Sequence, residues 1–472
     1  MERLTRVLSA LTRWGLGLCA LLAVLVALYV SIGRQLVPLV AEYRADVESK
    51  AEQSLGLPVH IGALEGRWSG LAPVLRVRDL QLGEGADALR LDDVKAVPDL
   101  WASLKAREVR LARIQLGGLQ LILREDEQGS WALEGLPKQD DTPLDPAQLL
   151  QRLQQLGRID VFDSQVTLHP WQRDPLTLTY VSVGLQAGAS RQALDARATL
   201  PDGQPLALNL RSRATADNWR DGSLDGYLSL PQSDWSHWLP PKLLGQWRAE
   251  ALRAGGEFWV GVRKGQLQHA SVRLNAPHLR GAYSSRKPVS LDDLALSAWL
   301  QRGEDGYQLV LDSLAASIGK QRWETHLQAR QHSASTPLEE SWQVQADTLD
   351  LTPLTPLINA LAPLPDNLMA VVDGLKVTGA LHNVKLDIRP KAEGDQRLQF
   401  AANLDRVGFN AYHGAPAAGN VSGSISGDLG HGELRLDTDA FMLHLYPIFA
   451  NPGITRKPML CSPGALIRRA SP

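Results

Sequence analysis

Few residues of this chain sit at spacings that chemistry requires. Two adjacent carboxylate pairs, Asp92/Asp93 and Asp292/Asp293, offer the acid and base of a glycosidase. Neighbouring strand residues point to opposite faces, so neither pair converges on one substrate unless a bulge intervenes, and both read as solvated charges. The run Gly83-Glu84-Gly85-Ala86-Asp87-Ala88 fits a loose dinucleotide fingerprint. It lies between two predicted strands and opens no helix, which makes it a hairpin loop. Trp235 and Trp238, beside Pro240-Pro241, suit either lipid-headgroup contact or packing against the end of a sheet. The motifs H-E-x-x-H, G-x-S-x-G and G-x-x-x-x-G-K-[ST] do not occur, and the 11 His are scattered. The reading is non-enzymatic, with no catalytic residue, no metal ligand and no cofactor.

The elements around these residues say more. The chain has 472 residues, enough for two or three domains at about 150 residues each. Lys+Arg (49) nearly balance Asp+Glu (51), giving a net charge of −2, which excludes nucleic acid as the main partner. A hydrophobic fraction of 44% with 21% charged residues excludes wholesale disorder. Two cysteines exclude a disulfide scaffold. Cys19 lies in the most apolar segment and Cys461 near the far end, so the body between them suits an oxidising compartment.

Arg13 and Arg34 bracket twenty residues without formal charge, Trp14 to Gly33. As a helix this segment is about 30 Å long, the thickness of a bilayer hydrocarbon core. Trp14 and Tyr29 near its ends, with Leu21 and Leu25 between, make it the membrane anchor. Arg3, Arg6 and Arg13 precede the span against Glu2 alone, which predicts a cytoplasmic N-terminus. The apolar run is longer than the core of a signal peptide, and no small-x-small cleavage site ends it.

Gln35 to Leu55 reads as one amphipathic helix, with Leu36, Val40, Tyr43, Val47 and Ala51 on one face, stopped by Gly56 and Pro58. Beyond it the period is two. Alternating runs include Leu75/Val77, Leu89/Leu91 with Val94 and Val97 after a shift, Val109/Leu111, and Leu119/Leu121/Leu123. Leu206/Leu208/Leu210, Phe258/Val260/Val262 and Leu386/Ile388 continue the series. Turn residues such as Pro201-Asp202-Gly203 separate them, which predicts a mainly antiparallel β protein with one apolar and one polar face. Short helices are expected over 99–104 and 146–156, with a linker over 140–146. A weak repeat pairs 234–244 with 351–364, and 265–274 with 379–388. A face of this kind is buried by a second sheet, by closure into a barrel, or by acyl chains held in a groove. Few long amphipathic helices after Leu55 are available to cover it.

The order and spacing of several pieces resemble the AsmA-like family. They are Leu57 to Leu82 (LPVHIGALEGRWSGLAPVLRVRDLQL), Leu91 to Leu123, and the acidic-glycine-Trp turn Asp126 to Leu136. With the anchor and the repeat, the chain is most similar to the long YhdP branch, over residues 1 to about 450. The resemblance implies a long, twisted antiparallel sheet curved into a groove with an apolar interior. It also implies an inner-membrane anchor, a periplasmic body reaching towards the outer membrane, and phospholipid as cargo. Partners beyond lipid are then outer-membrane or periplasmic proteins met through a distal part. The transport would support outer-membrane integrity; a non-transporting scaffold or regulator of outer-membrane biogenesis is the alternative.

The expected organisation is a cytoplasmic N-terminus (1–13), the anchor (14–33), an amphipathic periplasmic helix (34–56), an AsmA-like β region (57–140) and a repeating β-groove region (141–450). The groove-lining residues chosen by parity are Val109, Leu111, Leu119, Leu121, Leu206, Leu208, Leu210, Val260, Val262, Leu386 and Ile388. Asn451 to Pro472 has four Pro, four basic residues and no acid, and reads as a tail foreign to the family, of the kind a frameshift leaves.

Overall fold

The structure, a computed structural model, describes residues 2–55, 57–70, 72–83, 88–107, 110–127, 129–134, 150, 153–154, 157–236, 245–332, 340–414, 416–438, 442–444 and 459–460. Helix α1 runs over Glu2–Leu36, and the apolar part from Leu18 onward is exposed along its length. The single helix expected over 35–55 divides in two. A 3-10 segment, Val37–Tyr43, precedes α2, Arg44–Leu55. Pro38 supplies no backbone donor, so the helical ladder breaks there and tightens.

The chain forms two compact units, Met1–Gly222 and Ser223–Pro472. In the first, β1 (Val59–Ser69), β2 (Ala72–Leu82), β3 (Leu89–Pro98) and β4 (Leu111–Gly117) pair in antiparallel succession, with helix α3 (Leu100–Ala106) before β4. Asp99 caps α3 by accepting a 2.8 Å hydrogen bond from Ala102 N. The next strand, β5 (Gln120–Glu125), continues the line of β4 beyond a break at Gly117-Gly118, and β6 (Trp131–Leu133) pairs with it. Strand β7 (Arg158–His169) then runs parallel to both β4 and β5. The antiparallel order resumes through β8 (Leu176–Ala187), β9 (Gln192–Thr199) and β10 (Pro205–Arg213). This parallel seam is the one departure from an up-and-down meander among the described residues.

The second unit is a meander throughout. Its strands are β11 (Ser223–Asp234), β12 (Trp247–Arg263), β13 (Gln266–Tyr283), β14 (Val289–Arg302), β15 (Tyr307–Ile318), β16 (Gln321–His332), β17 (Ser341–Asp350), β18 (Thr378–Ile388), β19 (Leu398–Phe409), β20 (Ala417–Gly427) and β21 (Gly432–Leu436), each antiparallel to the last. Between β17 and β18 lie helices α4 (Leu354–Leu361) and α5 (Asp366–Leu375). The first falls within the apolar, Pro-interrupted segment expected over 351–364. Arg286, in the β13–β14 turn, donates to Ala362 O and, at 2.8 Å, to Leu364 O, pinning the turn between the two helices.

Strand interiors repeatedly carry a residue in the left-handed region, including Asp79, Asp163, Tyr180, Asp293, Asn383, Arg406 and Asn420. Five of the seven are Asp or Asn, types whose short polar side chains tolerate this backbone. These bulges shift register and bend the sheets.

The segment after α1 seals the first edge of the sheet. Val40 and Ala51 pack on the buried cluster Val59, Ile61 and Leu64. Glu52 and Glu48 accept hydrogen bonds from Val59 N (3.2 Å) and Ile61 N (2.7 Å), satisfying donors that an edge strand leaves open. Further down β1, Gly66 lies against the Val37 backbone and Gly33 against the Trp68 ring, while Tyr29 and Trp68 meet edge to face at 5.1 Å. The helix over 146–156 and the linker over 140–146 fall largely outside the described residues, as do Trp238 and nearly all of 451–472.

Candidate functional site: an apolar sheet face

Partners in an antiparallel register share a face, so the pairings trace rows across each sheet. In the first unit one row runs Leu64–Val77–Val94–Leu116 over β1 to β4. It continues Val161–Val183–Ala196–Leu208 over β7 to β10. The row one step along the opposite face reads Glu65–Arg76–Lys95–Gln115, then Asp160, Gly184 and Asp195. Eight strands thus present an unbroken aliphatic row on one side and a polar one on the other.

The second unit repeats the arrangement. Leu228–Phe258–Val272–Ala298 crosses β11 to β14, and Leu311–Leu327–Ala346 crosses β15 to β17. Val384 and Ala402 extend it by packing on Ala346, and Ile425 and Leu434 follow. No charged residue enters either row. Most residues of the two rows are partly exposed, and Val260 and Leu309, towards the ends of their strands on the same face, are 36% and 38% exposed.

Charges are sorted to the other side and locked there. Burial opposes ionisation of Asp93, but hydrogen bonds from Arg76 (2.6 Å) and Lys95 (3.0 Å) outweigh it and hold its carboxyl below the usual carboxylate range. Asp160 follows the same balance, with burial opposed by Arg158 (2.9 Å) and Arg113 (2.6 Å). Each carboxylate pair has a member tied up in an ion pair of the sheet. Asp293 does sit at a bulge, yet Asp292 is bound to His278 at 2.7 Å and Asp93 is held by two cations. The grouping Asp395, Asp428 and His431 brings three possible metal ligands together, but Asp428 already caps its own turn by accepting from Gly430 N and His431 N. Trp235 points its indole N–H at Ala254 O (2.6 Å), an intramolecular anchor rather than a headgroup contact.

Most residues chosen by parity fall on the aliphatic face. Leu206, Leu208 and Leu210 pair with Ala198, Ala196 and Leu194. Val260 and Val262 pair with Ala270 and Leu267, and Leu386 and Ile388 with Val344 and Trp342. Leu121 lies beside Val166. Leu119, buried at the β4–β5 break, donates its N–H to Ser164 Oγ at 3.1 Å. Leu111 pairs with Pro98 beyond the bulge at Val97/Pro98, in the parity of Val94 and Ala96, so the register keeps it on the aliphatic side. Val109 lies outside the described residues. Ile114, Leu116, Val161 and Val183 were missed, although their own alternation (Ile114/Leu116, Ile159/Val161, Val181/Val183/Leu185) carried the signal.

The family model described as YhdP protein matches residues 1–460 of this chain. The chain belongs to the YhdP family. A curated relative, the Intermembrane phospholipid transporter YhdP of Escherichia coli (strain K12), is 20% identical over 453 residues, which is 92% of this chain and 34% of that protein. The chain thus spans about a third of the length of this YhdP relative. No solved structure matches.

Proposed function

We propose that this chain is a membrane-anchored stretch of apolar track along which phospholipid acyl chains pass between the inner and outer membranes. In this reading α1 anchors it in the inner membrane with Trp14, Leu21, Leu25 and Tyr29 in or near the bilayer and the N-terminus in the cytoplasm. Both β units lie in the periplasm. The observation that carries the reading is the uninterrupted, mostly partly exposed apolar row in each unit. The name of the Escherichia coli relative agrees with it. A sixteen-carbon chain loses about 12 kcal/mol on leaving an apolar phase for water, at roughly 0.8 kcal/mol per methylene. A continuous apolar face removes most of that barrier without any reaction. Distal contacts with outer-membrane or periplasmic proteins would correspond to parts of the relative outside the third matched here.

The test places a photocrosslinker at Leu208, Val260 or Leu386, and at Asn209 and Asp387 as opposite-face controls, in the full chain reconstituted in phospholipid vesicles. Phospholipid adducts at the first three and not at the controls are the expected result. A folded protein without adducts at any of them overturns the track and leaves a scaffold.

A further inference from the structure

The contact of α1 with β1 fixes where one rim of the first sheet lies relative to the bilayer. Residues 37–55 run antiparallel to β1: Val37 lies at Gly66, Arg44 donates to Gly62 O at 3.1 Å, Glu48 reaches Ile61 N and Glu52 reaches Val59 N. Strand β1 therefore descends beside the segment leaving α1 and ends with Trp68 against Tyr29 and Gly33, inside the last turns of the apolar helix. The register carries that level sideways. Trp68 pairs with Pro73, Leu75 with Ala96, and Pro98 with Leu111, so Trp68, Pro73, Pro98 and Leu111 form one row across four strands. Three interstrand steps are about 15 Å.

Helix α3 begins just beyond that row. Trp101, its second residue, is 80% exposed, and Lys105, Arg107 and Arg110 on and after the helix are exposed. Asp99, the acid at its start, is committed to the cap. An exposed Trp with three cations at the depth where a spanning helix emerges is the composition of an interfacial contact. Resting on the anchor reading of α1 alone, we infer that α3 is a second membrane contact. Trp101 enters the headgroup layer of the leaflet from which α1 emerges, and Lys105, Arg107 and Arg110 face its anionic lipids. The two contacts together orient the strand axis of the first unit to the membrane, with the rim bearing Trp68 and α3 lowermost.

The test uses spin labels in the full chain, with Cys19→Ala and Cys461→Ser as background, reconstituted in vesicles of phosphatidylethanolamine with phosphatidylglycerol. Labels are placed at Trp101→Cys, at Lys105→Cys as a second site on α3, at Val26→Cys within α1, and at Trp171→Cys. The last follows β7 at the opposite rim, roughly 45 Å of strand away. Collisions with lipid-soluble oxygen relative to a water-soluble nickel chelate are expected to be about tenfold more favoured on α3 than at Trp171, with Val26 higher still. Lys105→Glu with Arg110→Glu is expected to move the Trp101→Cys label towards the aqueous value. Labels on α3 that read like Trp171 while Val26 reads as lipid overturn the inference and leave the anchor standing. An aqueous Val26 label overturns the anchor and the inference together.

Discussion

Leu327 sits mid-way along the aliphatic row of the second unit, between Leu311 and Ala346, while its neighbour Gln328 is exposed on the other face. Replacing Leu327 with Asp puts one carboxylate on the track, and Gln328→Asp adds the same charge off it. Adjacent strands are about 4.8 Å apart, a span of roughly four methylenes of an extended acyl chain. At about 0.8 kcal/mol each, forcing those methylenes past a hydrated carboxylate adds about 3 kcal/mol to the crossing, a slowing of roughly a hundredfold. The assay loads labelled phospholipid from vesicles and follows the rate at which it reaches a photocrosslinker at Leu228 or at Ile425, sites on either side of the substitution. Crosslinking on one side of Leu327 should keep its rate and on the other side lose it, whichever way lipid flows. Thermal melts of both variants establish that each is folded. Equal rates on both sides in folded Leu327→Asp, matching Gln328→Asp, refute the row as the path.

The ion pairs of the polar face give a pH dependence. The carboxyls of Asp93 and Asp160 titrate below their unfolded value of about 3.9, so their stabilisation is complete above that pH and is lost as pH falls through the folded value. Acid titration of unfolding should therefore show a steeper loss for the native chain than for Asp93→Asn with Asp160→Asn. Leu200, 2% exposed beneath the β9–β10 turn, should cost about 2–5 kcal/mol when cut to Ala, read as a lower denaturation midpoint of the first unit. Arg286→Ala removes the charged donor to Ala362 O and Leu364 O, worth about 1.5–3 kcal/mol, and hydrogen exchange over 354–375 should quicken by roughly ten- to a hundredfold while the strands hold.

The long apolar N-terminal helix, the β class and the two-sided character of the strands were legible in the sequence, because each is a local pattern of hydropathy. Parity within a strand was less so. Alternation read from Leu89/Leu91 to Val94 already showed a shift, and the structure explains it by paired irregularities at Asp79 and around Asp92. At Leu111 strict alternation with Arg113 and Gln115 would point to the polar face, and only the bulge at Val97/Pro98, invisible in the sequence, pairs it with Pro98 on the aliphatic one. Nothing local marked the parallel pairing of β7, since its partners lie across a long excursion and an antiparallel neighbour is the default expectation. The role of α3 was equally hidden. Its Trp and cations look like any short surface helix until the register brings Trp68 and Pro98 to one level.

The parallel seam has a consequence for how the chain acquires its structure. Within β1–β4, β7–β10 and β11–β21 each strand pairs with the one made just before it, so order can grow one hairpin at a time, with small loop-closure cost at every step. At β7 that rule fails. Its partners, β4 and β5, were completed before the excursion over 126–157, and the edge they present must stay vacant until the chain returns. Docking of β7 is thus the step most exposed to mispairing, and the one on which every later strand of the first unit is templated. A helper that delays aggregation of an unpaired strand edge has its greatest effect in that interval.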